Sequence, residues 1–331
     1  MSRFLNKTES NVPFTRVFDM TSLLEHQPVL LKPVLAALNI LPEGIYIDGT
    51  FGRGGHSRAI LSQLGQQGQL WVCDRDPAAI ECARKLCKSD PRVHVHHGCL
   101  SALAQFADHH QLTGRVNGIL MDLGVSSPQL DVAERGFSFR HDGPLDMRMD
   151  PQQGESVAQW LNSVDQAVLA KILWQYGEEK RARAIASRIV LARQKAPINT
   201  TQQLAQIVTE VIPYQRGKHP ATRTFQALRI YINDELAEVK TALQAAQQIL
   251  TLGGRLAVIT FHSLEDRIVK QFMREHVTPP PLPRRLPIVD AKLSQKMPFS
   301  WVVKQGKASE QEITLNPRAR SAILRAIMKR T

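Results

Sequence analysis

The stretch Ile45–Arg58 constrains the fold of this chain more than any other part of its sequence. Ile45–Ile47 is a short apolar run of strand-forming residues, and Asp48 follows it directly. Glycines stand at positions 49, 52, 54 and 55, and the apolar residues of Ser57–Leu64 then recur at helical spacing. A strand, a tight turn and a helix in this order predict the first unit of a doubly wound α/β sheet.

The glycines of this turn do not follow the dinucleotide-binding pattern. Gly52-Arg-Gly-Gly55 lacks the third glycine of G-x-G-x-x-G, and Asp48 would repel a pyrophosphate. A carboxylate suits a ligand that carries an ammonium group and ribose hydroxyls, as S-adenosylmethionine does. Because glycine is common in tight turns of every kind, an ordinary turn stays open as an alternative.

Two further predicted strands also end in a carboxylate. Asp74 follows the run Gln69–Cys73, and Asp122 follows the run Val116–Met121. Since parallel strands present their carboxyl ends at one edge of a sheet, where ligands bind in open α/β folds, the three aspartates predict a cofactor site. Asp76 directly precedes Pro77 and is predicted to cap the next helix.

The sheet pattern stops after Gln129 and returns near residue 231. Gly136–Asp150 is too long for a simple connection, and Ser156–Tyr231 shows only helical periodicity. A long helix over Asn233–Leu252, stopped by two glycines, then leads to a fifth strand at Arg255–Phe261. Trp301–Lys304 and Ser321–Met328 are predicted to add two antiparallel edge strands, which gives seven in all.

These patterns predict an α/β fold with a seven-stranded, mostly parallel sheet and an inserted all-helical domain. The expected divisions are a variable N-terminal extension (1–22), the first part of the sheet domain (23–129), the helical insertion (130–230) and the second part of the sheet domain (231–331).

The chain is strongly basic, with a net charge of +12 over 331 residues and a pI near 9.8. Such a charge predicts a polyanionic partner, either nucleic acid or an anionic membrane surface. Eleven basic and three acidic residues lie between Lys171 and Arg229, so most of the excess falls in the insertion. Gln215–Phe225 combines cations, hydroxyls and an aromatic ring, which favours a single-stranded RNA contact over a charged interhelical loop.

Cysteines and histidines give no metal or disulfide pattern. The spacings of the four cysteines (Cys73, Cys82, Cys87, Cys99) match neither a zinc ribbon nor a C-x-x-C pair, which favours reduced thiols. The histidines near residue 96 have no carboxylates at metal-ligand spacing, so we expect no metal. No apolar run approaches the ~20 residues of a membrane span and no signal peptide is recognisable, so we expect a cytoplasmic protein.

Several segments resemble one family, the bacterial small-subunit (16S) ribosomal RNA cytosine-N4 methyltransferases. The resemblance extends from Glu25 to the C-terminus, and the N-terminal extension departs from it. The matching runs are His26–Leu31, Tyr46–Ser57, Asp74–Pro77, Asp122–Gln129, Glu134–Phe139, Asp142–Asp150, His219–Gln226, Phe261–Arg267 and Asn316–Ser321.

The resemblance implies an S-adenosylmethionine-dependent methyltransferase sheet with a helical domain inserted after the fourth strand. It also implies transfer of a methyl group to the N4 amine of a cytidine in the decoding region of 16S ribosomal RNA, either free or in the small subunit. The implied donor contacts are Gly54, Gly55, His56, Asp74, Leu100, Asp122 and Gln129. The expected RNA contacts in the insertion are Arg216, Lys218, His219 and Arg223.

Three residues are candidates for the group that accepts the amine proton. Exocyclic-amine methyltransferases commonly carry an Asp/Ser/Asn-Pro-Pro-aromatic motif after the fourth strand, and Asp122–Gln129 has neither the double proline nor the aromatic residue. Asp122 is the first candidate, and Ser126 and Ser127 are alternatives that could equally be turn residues before a proline. His262, after the fifth strand, either orients substrate or caps a helix.

Two other functions fit parts of the sequence. A cytosine-C5 methyltransferase needs a cysteine nucleophile, for which Cys99 is the candidate, although it follows the third predicted strand and not the fourth. A non-catalytic ribosome-assembly factor would use the basic insertion and retain an inactive sheet domain.

Overall fold

A computed structural model describes residues 28–213, 219–279 and 297–330, and within them one sheet of seven strands organises the chain. The strand order is β3-β2-β1-β4-β5-β7-β6. The first five strands in this order are parallel, whereas β7 runs antiparallel to both β5 and β6. The strands are β1 (Ile45–Asp48), β2 (Gln69–Asp74), β3 (Val93–His97), β4 (Val116–Asp122), β5 (Leu250–Thr260), β6 (Phe299–Lys307) and β7 (Ile323–Lys329).

Helices cover both faces of this sheet. The helices are α1 (Leu31–Leu38), α2 (Gly55–Leu61), α3 (Pro77–Ser89), α4 (Leu103–His109), α5 (Ser127–Asp131), α6 (Val157–Ser163), α7 (Gln166–Gly177), α8 (Ala182–Arg193), α9 (Thr201–Val211), α10 (Thr222–Ile232), α11 (Glu235–Ile249), α12 (Ser263–Val277) and α13 (Glu310–Leu315). One hydrophobic core joins the sheet to α4, α11 and α12, and another joins it to α1, α2 and α3. Because both faces are covered, Ile119, Leu120 and Met121 of the central strand β4 are fully buried.

The helices α6–α10 form a third hydrophobic core of their own. Leu145 and Met147 of the long loop, Trp160 of α6 and Phe225 of α10 belong to it. The predicted helical insertion is therefore present between β4 and β5, and the fold class predicted from the sequence is confirmed. Among the described residues, no helix is both long and apolar enough to cross a bilayer.

The junction of α11 and β5 differs from the sequence prediction. The helix ends at Ile249, and the strand begins at Leu250, before the two glycines that were expected to stop the helix. The register of β5 against β4 shifts between Val116 and Gly118, so the glycines lie in an irregularity of the strand. Gly253 has a φ of +76°, which a residue with a side chain adopts only with strain. The prediction of a helix to Leu252 was wrong for this reason.

Candidate active site

The carboxyl ends of β1, β2 and β4 meet at one edge of the sheet, as predicted, and a pocket lies there. Its walls also include the starts of α11 and α12 and part of the long loop after α5. The lining residues are Gly49, Thr50, Asp74, Arg75, Gly98, Leu100, Leu123, Gly124, Met149, Glu235, Glu238, Val239 and Glu265. Of the seven predicted donor contacts, Asp74 and Leu100 are in this lining.

Backbone hydrogen bonds fix the turn after β1 against its neighbouring strands. The Gly49 amide donates to the Leu120 carbonyl over 2.9 Å, and the Phe51 amide donates to the Cys73 carbonyl over 3.0 Å. Gly54 has a φ of +74°, and a Cβ there would lie 2.5 Å from the Phe51 ring. The sequence therefore needs glycine at position 54 to close the turn before α2.

Asp48 stabilises the turn and does not line the pocket. Its Oδ2 accepts a 2.6 Å hydrogen bond from the Ser57 hydroxyl, and its Oδ1 accepts one of 3.1 Å from the Thr50 amide. The carboxyl is buried, and burial raises its pKa. The sequence placed Asp48 at the correct strand end, but its oxygens are directed into the loop.

Asp74 joins the turn to the pocket wall. Its Oδ2 accepts a 2.8 Å hydrogen bond from the Gly52 amide, and its Oδ1 accepts one of 2.9 Å from the Asp76 amide. Burial raises the pKa of Asp74 to about 6, although these two hydrogen bonds oppose the shift. Backbone amides thus hold both oxygens of Asp74 in place at the pocket wall.

Asp122 and His56 face each other at the end of β4. Oδ2 of Asp122 lies 3.6 Å from Nδ1 of His56, and Nε2 of His56 lies 3.0 Å from the Val29 carbonyl. Because a carbonyl only accepts, Nε2 carries the hydrogen and Nδ1 is unprotonated. Burial lowers the pKa of His56 to about 4, so the ring is neutral.

One oxygen of Asp122 has no assigned partner. Oδ1 is buried and finds no hydrogen-bond partner within the described part of the chain. Burial, together with the carboxylates of Asp48 and Glu265, raises the pKa of Asp122 to about 8. The side chain as a whole is half-buried, and a carboxyl with a raised pKa and an unpaired buried oxygen beside a pocket is typical of a functional group.

The segment after Asp122 forms the short helix α5, which the sequence analysis had not predicted. Ser126 is its N-cap residue, and its amide donates to Oε1 of Gln129 over 2.9 Å. Nε2 of Gln129, a predicted donor contact, donates to Oδ2 of Asp76 over 2.9 Å, and Gln129 is not in the pocket lining. The Ser127 hydroxyl accepts a hydrogen bond from Arg318. Ser126 thus caps α5 and Ser127 bonds to a distant arginine, and the role of either serine as proton acceptor stays a prediction.

His262 caps α12, as one of its two predicted roles required. Its Nε2 lies 3.0 Å from Oε1 of Glu265, and Oε2 of Glu265 accepts a 3.0 Å hydrogen bond from the Phe261 amide. Glu235 lies close enough for these three side chains to approach a common point. Both oxygens of Glu235, however, accept hydrogen bonds from Arg229 at 2.7 and 2.8 Å, so a guanidinium already balances its charge.

Several residues of the pocket wall were not among the predicted donor contacts. Arg75 follows Asp74 directly in a matching run, and Met149 and Glu265 also lie in matching runs, so the resemblance could have indicated them. Glu238 gives no such signal. Its two oxygens accept 2.8 Å hydrogen bonds from the Ser101 amide and hydroxyl, beside the predicted contact Leu100.

Part of the positive charge in the insertion stabilises its own fold. Arg188 pairs with Glu210, the half-buried Arg229 pairs with Glu235, and Arg193 donates to the carbonyls of Leu161 and Val164. The net positive charge of the insertion therefore overstates the charge that is available to bind RNA.

The predicted RNA contacts fall in three settings. Arg216 and Lys218 lie outside the described residues. The His219 ring stacks on Phe139 with centroids 4.4 Å apart, while Arg223 is exposed on α10. Of the four, Arg223 is thus presented to solvent and His219 is held against a neighbouring ring.

Comparison with known protein families identifies the family to which this chain belongs. The profile described as the MraW methylase family matches residues 23–330. The chain belongs to this family. It is the family of 16S ribosomal RNA cytosine-N4 methyltransferases that the sequence motifs indicated, and the protein is a methyltransferase that acts on ribosomal RNA with S-adenosylmethionine as donor.

Solved structures align with this methyltransferase at low identity. A Streptococcus mutans protein in complex with SAH is 13% identical, with a TM-score of 0.42 and coverage of 92% of this chain and 99% of that one. An rRNA methylase from Streptococcus thermophilus is 11% identical, with a TM-score of 0.37 and coverage of 93% and 99%. A SAM-dependent O-methyltransferase from Thermotoga maritima is 9% identical, with a TM-score of 0.40 and coverage of 95% and 70%. The family match establishes the relationship independently of these structures.

Proposed function

We propose that this methyltransferase acts on the exocyclic N4 amine of a cytidine in the decoding region of 16S ribosomal RNA. The observation that supports this most strongly is the Asp122 carboxyl, which lies directly before the pocket residues Leu123 and Gly124 and whose buried Oδ1 has no hydrogen-bond partner among the described residues. Direct transfer to a weakly nucleophilic amine needs in-line positioning and a proton acceptor, and it needs no covalent enzyme intermediate.

The pocket fits the donor that the family uses. The carboxyl groups of Asp74, Glu238 and Glu265 line it together with the cationic Arg75, whereas Arg229 balances the charge of Glu235. The net field of the lining therefore suits a sulfonium and an ammonium group. When bound, S-adenosylmethionine supplies the electrophilic methyl group. Asp74 would bind the ribose hydroxyls, and the predicted contacts Gly54, Gly55, His56, Leu100, Asp122 and Gln129 belong to the same proposal.

Asp122 would take the proton that the amine releases as the nitrogen gains its methyl group. Only the ionised carboxylate can accept it, and the pKa of about 8 makes this group a competent base near neutral pH. His56 is neutral, but its pKa of about 4 makes it a much weaker base than the Asp122 carboxylate. Ser126 and Ser127 stay alternative acceptors.

The helical insertion, predicted at 130–230, would deliver the RNA. Arg216, Lys218, His219 and Arg223 are the proposed contacts, and the exposure of Arg223 agrees with this assignment. Cations beside hydroxyls and an aromatic ring can hold a phosphate backbone and stack a base. Whether the substrate is free 16S RNA or the small subunit decides which neighbouring RNA the insertion also touches.

The cytosine-C5 alternative finds little support at Cys99. This thiol lies after β3, and burial raises its pKa, which opposes formation of the thiolate that a nucleophile needs. Replacing Cys99 with Ala should leave methyl transfer within about twofold of the wild type. Loss of activity in the variant, together with a trapped RNA adduct in the wild type, would favour the C5 reaction.

Nucleoside mapping tests the proposal directly. Ribosomal RNA from cells that lack the protein should lose one N4-methylated cytidine of the decoding region, and a plasmid-borne copy should restore it. Full restoration by an Asp122→Asn variant would show that Asp122 is not the proton acceptor, whereas a purified protein that binds no S-adenosylmethionine in a calorimetric titration would favour a non-catalytic assembly factor.

A further inference from the structure

Asn233, at the junction of α10 and α11, is a buried polar residue without a role in the proposed function. It is 2% exposed, and its side-chain amide is fully bonded. Its Oδ1 accepts a 2.8 Å hydrogen bond from the Met149 amide, and its Nδ2 donates to the carbonyls of Met147 and Arg229 over 2.7 and 3.0 Å. One side chain therefore joins the end of the insertion to the long loop after α5.

The backbone of Asn233 makes a second link. Its carbonyl accepts a 2.7 Å hydrogen bond from Nη1 of Arg75, which follows the ribose-binding candidate Asp74. Arg75 and Met149 both line the pocket, whereas Asn233 does not. Asn233 thus contacts two pocket residues that come from distant parts of the sequence.

The loop that Asn233 holds needs such support. Met147 is fully buried and has a φ of +61°, a left-handed conformation that a residue with a side chain adopts only under constraint. Its amide donates to the Arg135 carbonyl over 3.1 Å, and its carbonyl accepts from Asn233. Arg135 in turn donates to the Met149 carbonyl and to Oδ2 of Asp76. Strain of this kind persists where the surroundings fix it, and it then defines one geometry for Met149.

We propose that Asn233 is a positioning residue for the methyl donor, which holds Arg75 and Met149 as one wall of the pocket. The inserted helical domain thereby helps to shape the donor site as well as to present RNA. This inference rests on the assignment of the pocket to S-adenosylmethionine. It does not depend on which base or which atom of the RNA is methylated.

The insertion supplies a closely matched control. Asn162, near the end of α6, also makes three side-chain hydrogen bonds: Nδ2 donates to the carbonyls of Ala158 and Ile198, and Oδ1 accepts from the Ile198 amide. As with Asn233, one bond goes to the carbonyl four residues earlier and two go to a separate loop. Asn162 contacts no residue of the pocket lining through these bonds, so its replacement measures the structural effect alone.

Calorimetric titration of S-adenosylmethionine into the full-length wild type, Asn233→Ala and Asn162→Ala tests the proposal. The Kd of Asn233→Ala should rise about tenfold, which corresponds to about 1.4 kcal/mol, while that of Asn162→Ala stays within about twofold of the wild type. Both variants should lower the melting temperature. At saturating donor, Asn233→Ala should retain a kcat within a few-fold of the wild type, so that the effect appears in KM.

A second variant keeps the test valid if Asn233→Ala does not fold. Arg75→Met keeps the aliphatic stem but loses the bond to the Asn233 carbonyl, and it should raise the donor Kd several-fold. Where both single variants fold, the double variant should show less than the sum of their effects on binding free energy, because they act on one wall. Equal donor affinity in the wild type, Asn233→Ala and Arg75→Met would overturn the proposal, while the assignment of the methylated atom would stand.

Discussion

The strand-end edge of the sheet and the helical insertion carry their charges in different ways. At the edge, Asp74 and Asp122 are half-buried with raised pKa values, and Oδ1 of Asp122 has no partner among the described residues. In the insertion, Arg188 and Arg229 are paired with carboxylates, whereas Arg223 is exposed. A carboxyl with a raised pKa and an unpaired buried oxygen, as at Asp122, is typical of a reacting group, whereas an exposed cation such as Arg223 is typical of a binding surface. A count of charged residues in the sequence cannot distinguish reacting carboxyls or RNA-binding cations from ion pairs that stabilise the fold.

The largest effect should come from the edge. Asp122→Asn keeps the shape of the side chain but removes the proton acceptor, so kcat should fall by about 10²–10⁴-fold. In the wild type, activity should rise with pH and level off above about 8, as Asp122 ionises. Single-turnover methylation across pH 6–9 measures both effects.

Replacement of each alternative acceptor serves as the control for this prediction. Ser126→Ala and Ser127→Ala should retain most of the wild-type rate, since Ser126 caps α5 and the Ser127 hydroxyl accepts a hydrogen bond from Arg318. A full rate in Asp122→Asn, or a pH profile that is flat between 6 and 9, would show that Asp122 is not the proton acceptor. The chemistry would then not be assigned to the edge of the sheet.

An intermediate effect is expected from the insertion. Changing Arg216, Lys218 and Arg223 together to Ala should raise the KM for RNA about tenfold with little change in kcat. Because each cation releases counterions from the RNA, the slope of log K against log salt should become shallower by about 2. Filter binding over a salt series checks this result.

Exposed cations of the sheet domain give the matched comparison. Arg84 and Lys88 of α3 and Lys240 of α11 are exposed, and their joint replacement removes the same net charge. This control should leave the salt slope close to that of the wild type. If both triple variants flatten the slope equally, RNA binding depends on overall charge and not on the insertion.

The smallest effect concerns stability. The pKa of Asp122 is raised from 3.8 to about 8 in the folded protein, so the folded state binds this proton more tightly than the unfolded state. Its contribution to stability is therefore present below pH 4 and is lost as pH rises to about 8. Asp122→Asn removes this loss, and its melting temperature should exceed that of the wild type by about 2–5 °C at pH 8.5.

The same comparison at low pH provides the check. The difference in melting temperature between Asp122→Asn and the wild type should shrink as pH falls toward 5, because the wild-type carboxyl is then protonated. A difference that does not vary with pH would mean that folding does not raise the pKa of Asp122. Its proposed role as a base near neutral pH would then lose its physical basis.

The sequence predicted the edge better than the opposite wall of the pocket for a physical reason. A strand, a glycine turn and a helix are local in the chain, so Asp74 and Asp122 could be placed from periodicity alone. Glu238 and Asn233 reach the site only through tertiary packing of α10 and α11, which no local pattern encodes. The end of α11 at Ile249 was also missed, because pairing with β4 overrides the helical periodicity up to Leu252.

Transfer of an isotopically labelled methyl group is the most direct test of the central claim. Purified protein, labelled S-adenosylmethionine and small ribosomal subunits from cells lacking the protein should yield label in one nucleoside after digestion, N4-methylcytidine from the decoding region. Digestion of naked 16S RNA treated in the same way decides which form of the substrate is used. Label at cytosine C5, at a ribose hydroxyl or in protein would contradict the account.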